Sequence, residues 1–397
     1  MIGLIPPYRH LLRGPRIWAA VVVICTTPCN SLVAQSFRAA DSIVESGVAR
    51  GIYPGAVLVI GTHEAVLHAR GFGHLEWKPG PRPSPDSTLW DLASLTKVVG
   101  TTGAIMRLVE TRKIGLDTPV VRYLPRFTGP GKDRVTVRML LNHTSGLRSY
   151  LPFFQLTRTR DSAITLLYRE PLRRKPGASA EYSDLNFLLL GLLVEQVTGE
   201  PLERYVSGAV LVPAGLAHTI YRPPDSLRSR TAPTGRYRGT AVCCVVNDQN
   251  AVRMGGAAGH AGLFSTGSDL AHFAQMWLNG GEIGGRRVFE TATLQAFLAQ
   301  GEGAGDRLLG WERPDPANRD DSAYGHLLSP RAYGHTGWTG TLLWIDPARD
   351  LFLVLLTNRA YDPRIGRSIR ALRGVRSHLA DEVVRSVGKS PAASGTR

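Results

Sequence analysis

Two short, uninterrupted apolar runs stand near opposite ends of the 397-residue chain, Ala56-Val57-Leu58-Val59-Ile60 and Leu351-Phe352-Leu353-Val354-Leu355-Leu356. Runs of five or six apolar, partly β-branched residues bounded by turn signals read as strands buried on both faces. Each has a partner beside it. Ala65-Val66-Leu67-His68-Ala69 follows the first after Gly61 to Glu64, and Thr341-Leu342-Leu343-Trp344-Ile345 precedes the second across Asp346-Pro347-Ala348-Arg349-Asp350, which has hairpin turn chemistry. Phe37 to Ala49 reads as a helix, and Asn186 to Val197 as a buried one, closed by Thr198-Gly199-Glu200-Pro201. The prediction is an α/β (α+β) fold: an antiparallel sheet flanked by helices and drawn from both chain ends, about 35–115 and 255–390, with a helix-rich insertion at about 116–254.

The balance of 47 Lys and Arg against 32 Asp and Glu gives a formal charge of +15, carried largely by Arg. No long basic run interleaves with aromatic residues, so nucleic acid is not an expected partner. Arg364, Arg367, Arg370, Arg373 and Arg376 recur every third residue beside Ile365, Ile369, Leu372, Leu379 and Val383, which reads as a solvated helix face opposite a core face. At the N-terminus Arg9, Arg13 and Arg16 precede the apolar run Ile17 to Cys25, the pattern of an export signal. That run is about half the ~20 residues needed to span a bilayer. Residues 1–34 are expected to be removed, with cleavage after Ala34 and a periplasmic or extracellular destination; an uncleaved anchor is the alternative. Cleavage would leave only the adjacent Cys243 and Cys244, so no disulfide framework is implied, and Cys25 and Cys29 lack a lipoprotein context.

The chemistry-bearing feature is Ser94-Leu95-Thr96-Lys97, followed by Val98, Val99, Ile105, Met106 and Val109 at roughly helical spacing. A helix opening at Ser94 would put the Lys97 amine beside the Ser94 hydroxyl and leave its first N–H groups free for developing negative charge. An unassisted serine is a weak nucleophile and needs such a base. On its own the pair fits an ordinary helix equally well. Ser386-Val387-Gly388-Lys389 repeats the spacing where a Gly and the polar tail predict no buried helix.

Two further clusters complement Ser94. Glu181-Tyr182-Ser183-Asp184 stands just before the buried helix, where a rigid loop would present the Tyr182 hydroxyl for proton relay. Gly334-His335-Thr336-Gly337-Trp338 stands just before the strand at Thr341; its glycines allow close backbone approach, and His335 could titrate near neutral pH. Other chemistries fail on spacing. His63 and His68 are one residue too far apart for a zinc-protease helix, and there is no Gly-x-Ser-x-Gly elbow, phosphate loop or Cys-x-x-Cys pair. No metal is expected. His143 and His260 read as structural or loop residues.

Ser-x-x-Lys, then Tyr-Ser-Asp, then His-Thr-Gly, in this order and spacing, resemble the serine β-lactamase and penicillin-binding-protein superfamily, in particular its class C-like branch, which also holds D-Ala-D-Ala carboxypeptidases, D-aminopeptidases and esterases. Val135 to Leu147, Lys175-Pro176-Gly177 and Gly259-His260-Ala261-Gly262-Leu263-Phe264-Ser265-Thr266 share in the resemblance, which runs from Phe37 to Ser386. The resemblance implies a β-lactamase/transpeptidase-like fold and a covalent acyl-enzyme on Ser94. Lys97 and Tyr182 would move its proton and the N–H groups of Ser94 and Trp338 would hold the oxyanion, while His335 would stand where many β-lactamases carry Lys. Asp184, Thr336 and Gly337 would bind substrate, with no cofactor. The implied partner is a small acyl substrate or a peptidoglycan-derived peptide, with β-lactam binding also open. Asp184 replaces the commoner Asn, and an ionised carboxylate donates no hydrogen bond, which turns the expectation from β-lactams toward esters or D-amino-acid peptides. A class C-type β-lactamase and a non-catalytic cell-wall sensor are the alternatives.

Overall fold

In the computed structural model, residues 37–315, 322–361 and 368–388 are described; the export signal and Lys389 lie outside them, as do Arg364, Ile365 and Arg367. The elements that place the site are labelled as follows: α1 Arg38–Ala49, β1 Gly55–Gly61, β2 Val66–Gly73, β3 Trp90–Asp91, α2 Gly103–Glu110, α3 Val137–Leu141, α4 Asp184–Thr198, β4 Ile220–Tyr221, α5 Gln249–Arg253, β5 Leu263–Ser265, α6 Gly267–Leu278, β6 Tyr333–Thr336, β7 Leu342–Asp346, β8 Leu351–Thr357 and α7 Ile369–Gly388.

The two apolar runs become adjacent strands. β1 and β8 pair antiparallel from Ala56 opposite Thr357 to Gly61 opposite Phe352, at the centre of a five-stranded sheet of order β6-β7-β8-β1-β2. Alternate residues of a strand point to opposite faces, and both faces of the central strands are covered. Val57, Val59, Phe352, Val354 and Leu356 join the larger core, shared with α6 and the helical region. Ala56, Leu58, Ile60, Leu353 and Leu355 join a smaller core under α1 and α7. Burial on both sides explains why these strands read as continuous apolar runs rather than alternating ones.

The region between the sheet segments contains α3, α4 and other helices, but also Ile220–Tyr221, Gly235–Tyr237 and Thr240–Val242 as short strands. β4 joins β3 and β5 in a three-stranded sheet, Ile220 opposite Phe264 and Trp90 opposite Ser265.

Two expectations about α7 are corrected. Arg370 and Arg373 are exposed as expected, but Arg376 is buried, turned under the sheet edge rather than into solvent. Ser386, read as lying beyond any buried helix, is buried in the last turn of α7. His63 and His68 diverge to separate carboxylates, Asp350 and Asp41.

Candidate active site

The chain turns sharply into the helix that follows Ser94. Asp91, at the end of β3, accepts hydrogen bonds from Ala93 N–H (2.9 Å) and Asn247 N–H (2.7 Å), and burial pushes its carboxyl up to about 6. Ala93 sits at φ +47°, a left-handed conformation that costs a non-glycine residue about 1–2 kcal/mol. The strain falls on the residue before Ser94. The helix opens at Leu95, not Ser94, and its first N–H groups are not free as expected: those of Leu95, Thr96 and Lys97 bond to the carbonyls of Leu92, Ala93 and Ser94. Lys97–Thr102 is then a π-helix that continues into α2. Such wide turns often occur at functional sites.

Lys97 is wholly buried. Its Nζ donates to Ser94 Oγ (3.0 Å), Asp184 Oδ1 (2.7 Å) and the His260 carbonyl (3.3 Å). Tyr182 Oη donates to Ser94 Oγ at 2.9 Å, so the Ser94 oxygen accepts from both candidate proton carriers. Burial pushes the Lys97 ammonium down, but the Asp184 carboxylate, with Tyr182, outweighs it and leaves its pKa above the ordinary value. Burial raises the Tyr182 phenol, and the opposing pull of Lys97 does not cancel it. At neutral pH both groups carry their protons.

α4 starts at Asp184, directly after the loop that presents Tyr182. That loop is clamped by His143, whose Nδ1 accepts from Ser183 N–H (3.1 Å) and lies 3.2 Å from Asn186 Nδ2, while its carbonyl accepts from Glu181 N–H (2.9 Å). Its ring packs 4.8 Å from that of Tyr182. Burial, then Arg307 and Lys97, holds the His143 pKa well below the ordinary value. His143 is thus a neutral brace.

The opposite wall is β6 and the turn after it. Gly337 is required there: a Cβ would meet Thr341 Oγ1 at 2.1 Å and the Leu92 carbonyl at 2.6 Å. The turn is stitched to the segment before Ser94 by Thr339 Oγ1 on the Asp91 carbonyl (2.7 Å) and Thr341 Oγ1 on the Leu92 carbonyl (3.0 Å). Trp338 is 44% exposed and flanks the cavity. His335 departs from expectation. It is buried, its Nδ1 donates to the Thr336 carbonyl (2.8 Å), and burial, followed by Lys97 and Arg307, holds its pKa well below the ordinary value. It supplies no cation for a substrate carboxylate at neutral pH.

Ser94, Tyr182, Asp184, His335, Thr336, Gly337 and Trp338 line one cavity of about 1000 Å³. Tyr150 and Phe154 add aromatic surface to it. Sequence reasoning missed several further members. Asp248 accepts from Ala251 N–H at 2.7 Å as the cap of α5 and pairs with His260 Nε2 at 3.0 Å. His260, read as a loop residue, lines the cavity and offers its carbonyl to Lys97. Arg307 lies over the Tyr182 ring at 5.2 Å and pairs with Glu312 at 2.9 Å. Asp248 had a local signal, a side chain able to cap the next helix; Arg307 had none. Asp184, Asp248 and His260 place ligand-type atoms within 4.8 Å of one another. Yet Asp184 holds the Lys97 ammonium and Asp248 holds the His260 ring, so all three are engaged within the protein.

The β-lactamase family profile matches residues 40–375. The chain belongs to the β-lactamase family. Among its relatives in this family is the N-acetylmuramyl-L-alanine amidase of Bacillus subtilis (strain 168), 33% identical over 83% of this chain and 82% of that protein. An Escherichia coli (strain K12) protein named "Putative D-alanyl-D-alanine carboxypeptidase" is 31% identical over 78% and 80%. Solved β-lactamase-like structures share the fold. EstCE1, titled a hydrolase with promiscuous acyltransferase activity, superposes with a TM-score of 0.69 at 22% identity, covering 89% of this chain and all of that one. A penicillin-binding protein homologue from Caulobacter crescentus gives 0.67 at 24%, covering 88% and 97%.

Proposed function

We propose that this β-lactamase-family protein is an exported serine hydrolase that cleaves amide or ester bonds through an acyl-enzyme on Ser94, of the esterase or D,D-carboxypeptidase type. The observation that carries the reading is the single oxygen, Ser94 Oγ, lying within hydrogen-bond distance of both Lys97 Nζ and Tyr182 Oη in the wall of an open cavity. The reactive form is the one in which the Lys97–Tyr182 pair has one proton fewer than at rest. It takes the proton from Ser94 as Oγ bonds to the acyl carbon, and the carbonyl oxygen becomes an oxyanion held by the N–H groups of Ser94 and Trp338. The pair returns the proton to the leaving nitrogen or oxygen as that bond breaks. Neither N–H is engaged by a backbone carbonyl among the described residues. Water then releases the acyl group.

Asp184 argues for esters and wall peptides over β-lactams. Its carboxylate is committed to Lys97 and has no N–H to offer a substrate carbonyl. A relative named "N-acetylmuramyl-L-alanine amidase" and another named "Putative D-alanyl-D-alanine carboxypeptidase" support amide chemistry on peptidoglycan-derived peptides. Export rests on the sequence of residues 1–34. Among the described residues, no helix is long and apolar enough to cross a membrane.

The test is intact mass of the wild type and Ser94→Ala after incubation with a penicillin, alongside release of a chromogenic short-chain ester. A persistent adduct confined to the wild type supports a carboxypeptidase. Ester release that needs Ser94, without an adduct, supports an esterase, and rapid turnover of the penicillin would make the protein a β-lactamase. Loss of both reactions in the wild type would overturn the hydrolase reading in favour of a sensor.

A further inference from the structure

Two arginines hold the turn that carries Trp338. Arg376, from α7, donates through Nη2 to the Gly337 carbonyl at 2.7 Å and to the Thr341 carbonyl at 2.8 Å. Arg359 donates to the Trp338 carbonyl at 3.1 Å and lies 4.9 Å over its ring. Both are almost fully buried, at 3% and 2% exposure. Among the described residues, Arg376 has no carboxylate at ion-pair distance and its Nε has no hydrogen-bond partner. Burial, then the like charge of Arg359, lowers its pKa, but a guanidinium stays charged at neutral pH. The Glu312 carboxylate offsets that lowering only in part, and a buried cation that no carboxylate touches among the described residues is costly to keep. Bracing two carbonyls does not require a charge, because a neutral amide could donate to them. The cation itself therefore calls for a reason.

We propose that Arg376 is a positioning residue for the oxyanion site, its guanidinium polarising the Gly337–Trp338 peptide so that the Trp338 N–H binds developing negative charge more strongly. The carbonyl that Arg376 holds and the N–H of Trp338 are opposite ends of one amide. A cation on the oxygen draws electron density along the amide and leaves the hydrogen more positive, the cooperative strengthening expected of linked hydrogen bonds. It also adds a fixed positive potential, already oriented before the reaction, where the oxyanion forms. Gly337 and the two threonine stitches hold the same turn against the nucleophile segment, so the polarised amide and Ser94 keep a fixed relation. The proposal rests on the oxyanion role given above to Trp338.

The experiment compares wild type, Arg376→Gln and Arg376→Lys with p-nitrophenyl butyrate carrying a ¹³C carbonyl. It measures kcat and KM, and by rapid-mixing infrared spectroscopy the stretch of the acyl carbonyl on Ser94. Arg376→Gln keeps a donor and loses the charge; it should lose about 10- to 100-fold in kcat, a large part of what an oxyanion donor supplies, with KM little changed and the carbonyl band moved to higher wavenumber. Arg376→Lys keeps the charge and should stay near the wild type in both. An unchanged band or an unchanged kcat in a folded Arg376→Gln overturns the proposal and leaves Arg376 a brace. Should that variant not fold, Arg376→Lys decides: a band at the wild-type position supports the proposal, and a band at the position of an unbonded ester overturns it. An unbonded position already in the wild type would sink the oxyanion reading of Trp338, an outcome distinct from failure at Arg376 alone.

Discussion

Lys97 and Asp184 tie the protonation of the site to one carboxylate. The Lys97 ammonium is buried and would shed its proton readily were Asp184 not 2.7 Å away. Asp184→Asn removes that carboxylate, and with it the interaction that raises both Lys97 and Tyr182. The acidic limb of the pH–kcat profile should therefore move to lower pH, since the pair reaches its reactive form with fewer hydroxide ions in solution; a limb that stays in place would uncouple Asp184 from proton transfer. Ser94, Lys97, Tyr182 and Asp184 were legible because their spacing along a helix or loop is local. Arg307, His260 and Arg376 were not, because each acts on a residue distant in the chain, and Arg376 sat in a run of arginines whose other described members, Arg370 and Arg373, are exposed.

The turn after β6 and the turn before Ser94 are held at fixed separation by Gly337 and two threonine hydroxyls. Gly337→Ala inserts a methyl group where no space exists, so the turn must retreat from Ser94. A loss of about 100-fold in kcat/KM, the effect of disabling one oxyanion donor, is expected, with about 1–3 kcal/mol of destabilisation from overpacking; ester assays and urea melts read the two separately. The strands were readable as apolar runs and the β7–β8 hairpin from its turn residues. The π-helical opening was not, because periodicity over a few residues does not separate it from an α-helix.

For the whole molecule, His143 and His335 link the site to stability in acid. Burial is the first cause that holds both well below their ordinary pKa. Below about pH 6.5 the unfolded chain binds protons that the folded one refuses. Their contribution is thus complete above that pH and is lost as pH falls toward the folded values, at up to about 1.4 kcal/mol per pH unit for each histidine. Asp91, its carboxyl raised to about 6 by burial, works the other way, so the comparison is with His335→Asn. Chemical denaturation between pH 7 and 5 should show the variant losing less stability than the wild type as pH falls. Equal pH slopes for the wild type and His335→Asn would mean that the His335 ring is not held neutral in the fold.

The pairing of β1 with β8 also has a meaning in time. Ala56 meets Thr357, and neither the sheet nor the wall carrying Trp338 can close until nearly the whole chain has been made. At a synthesis rate of about 5–20 residues per second, that interval is roughly 15 to 60 s. Chains halted before β8 should therefore fail to label with an active-site phosphonate even though Ser94, Lys97 and Tyr182 are already present. A hydrolase assembled in this order stays inert through most of its own biosynthesis, and a chain threaded through a membrane unfolded would gain its reactivity only on the far side.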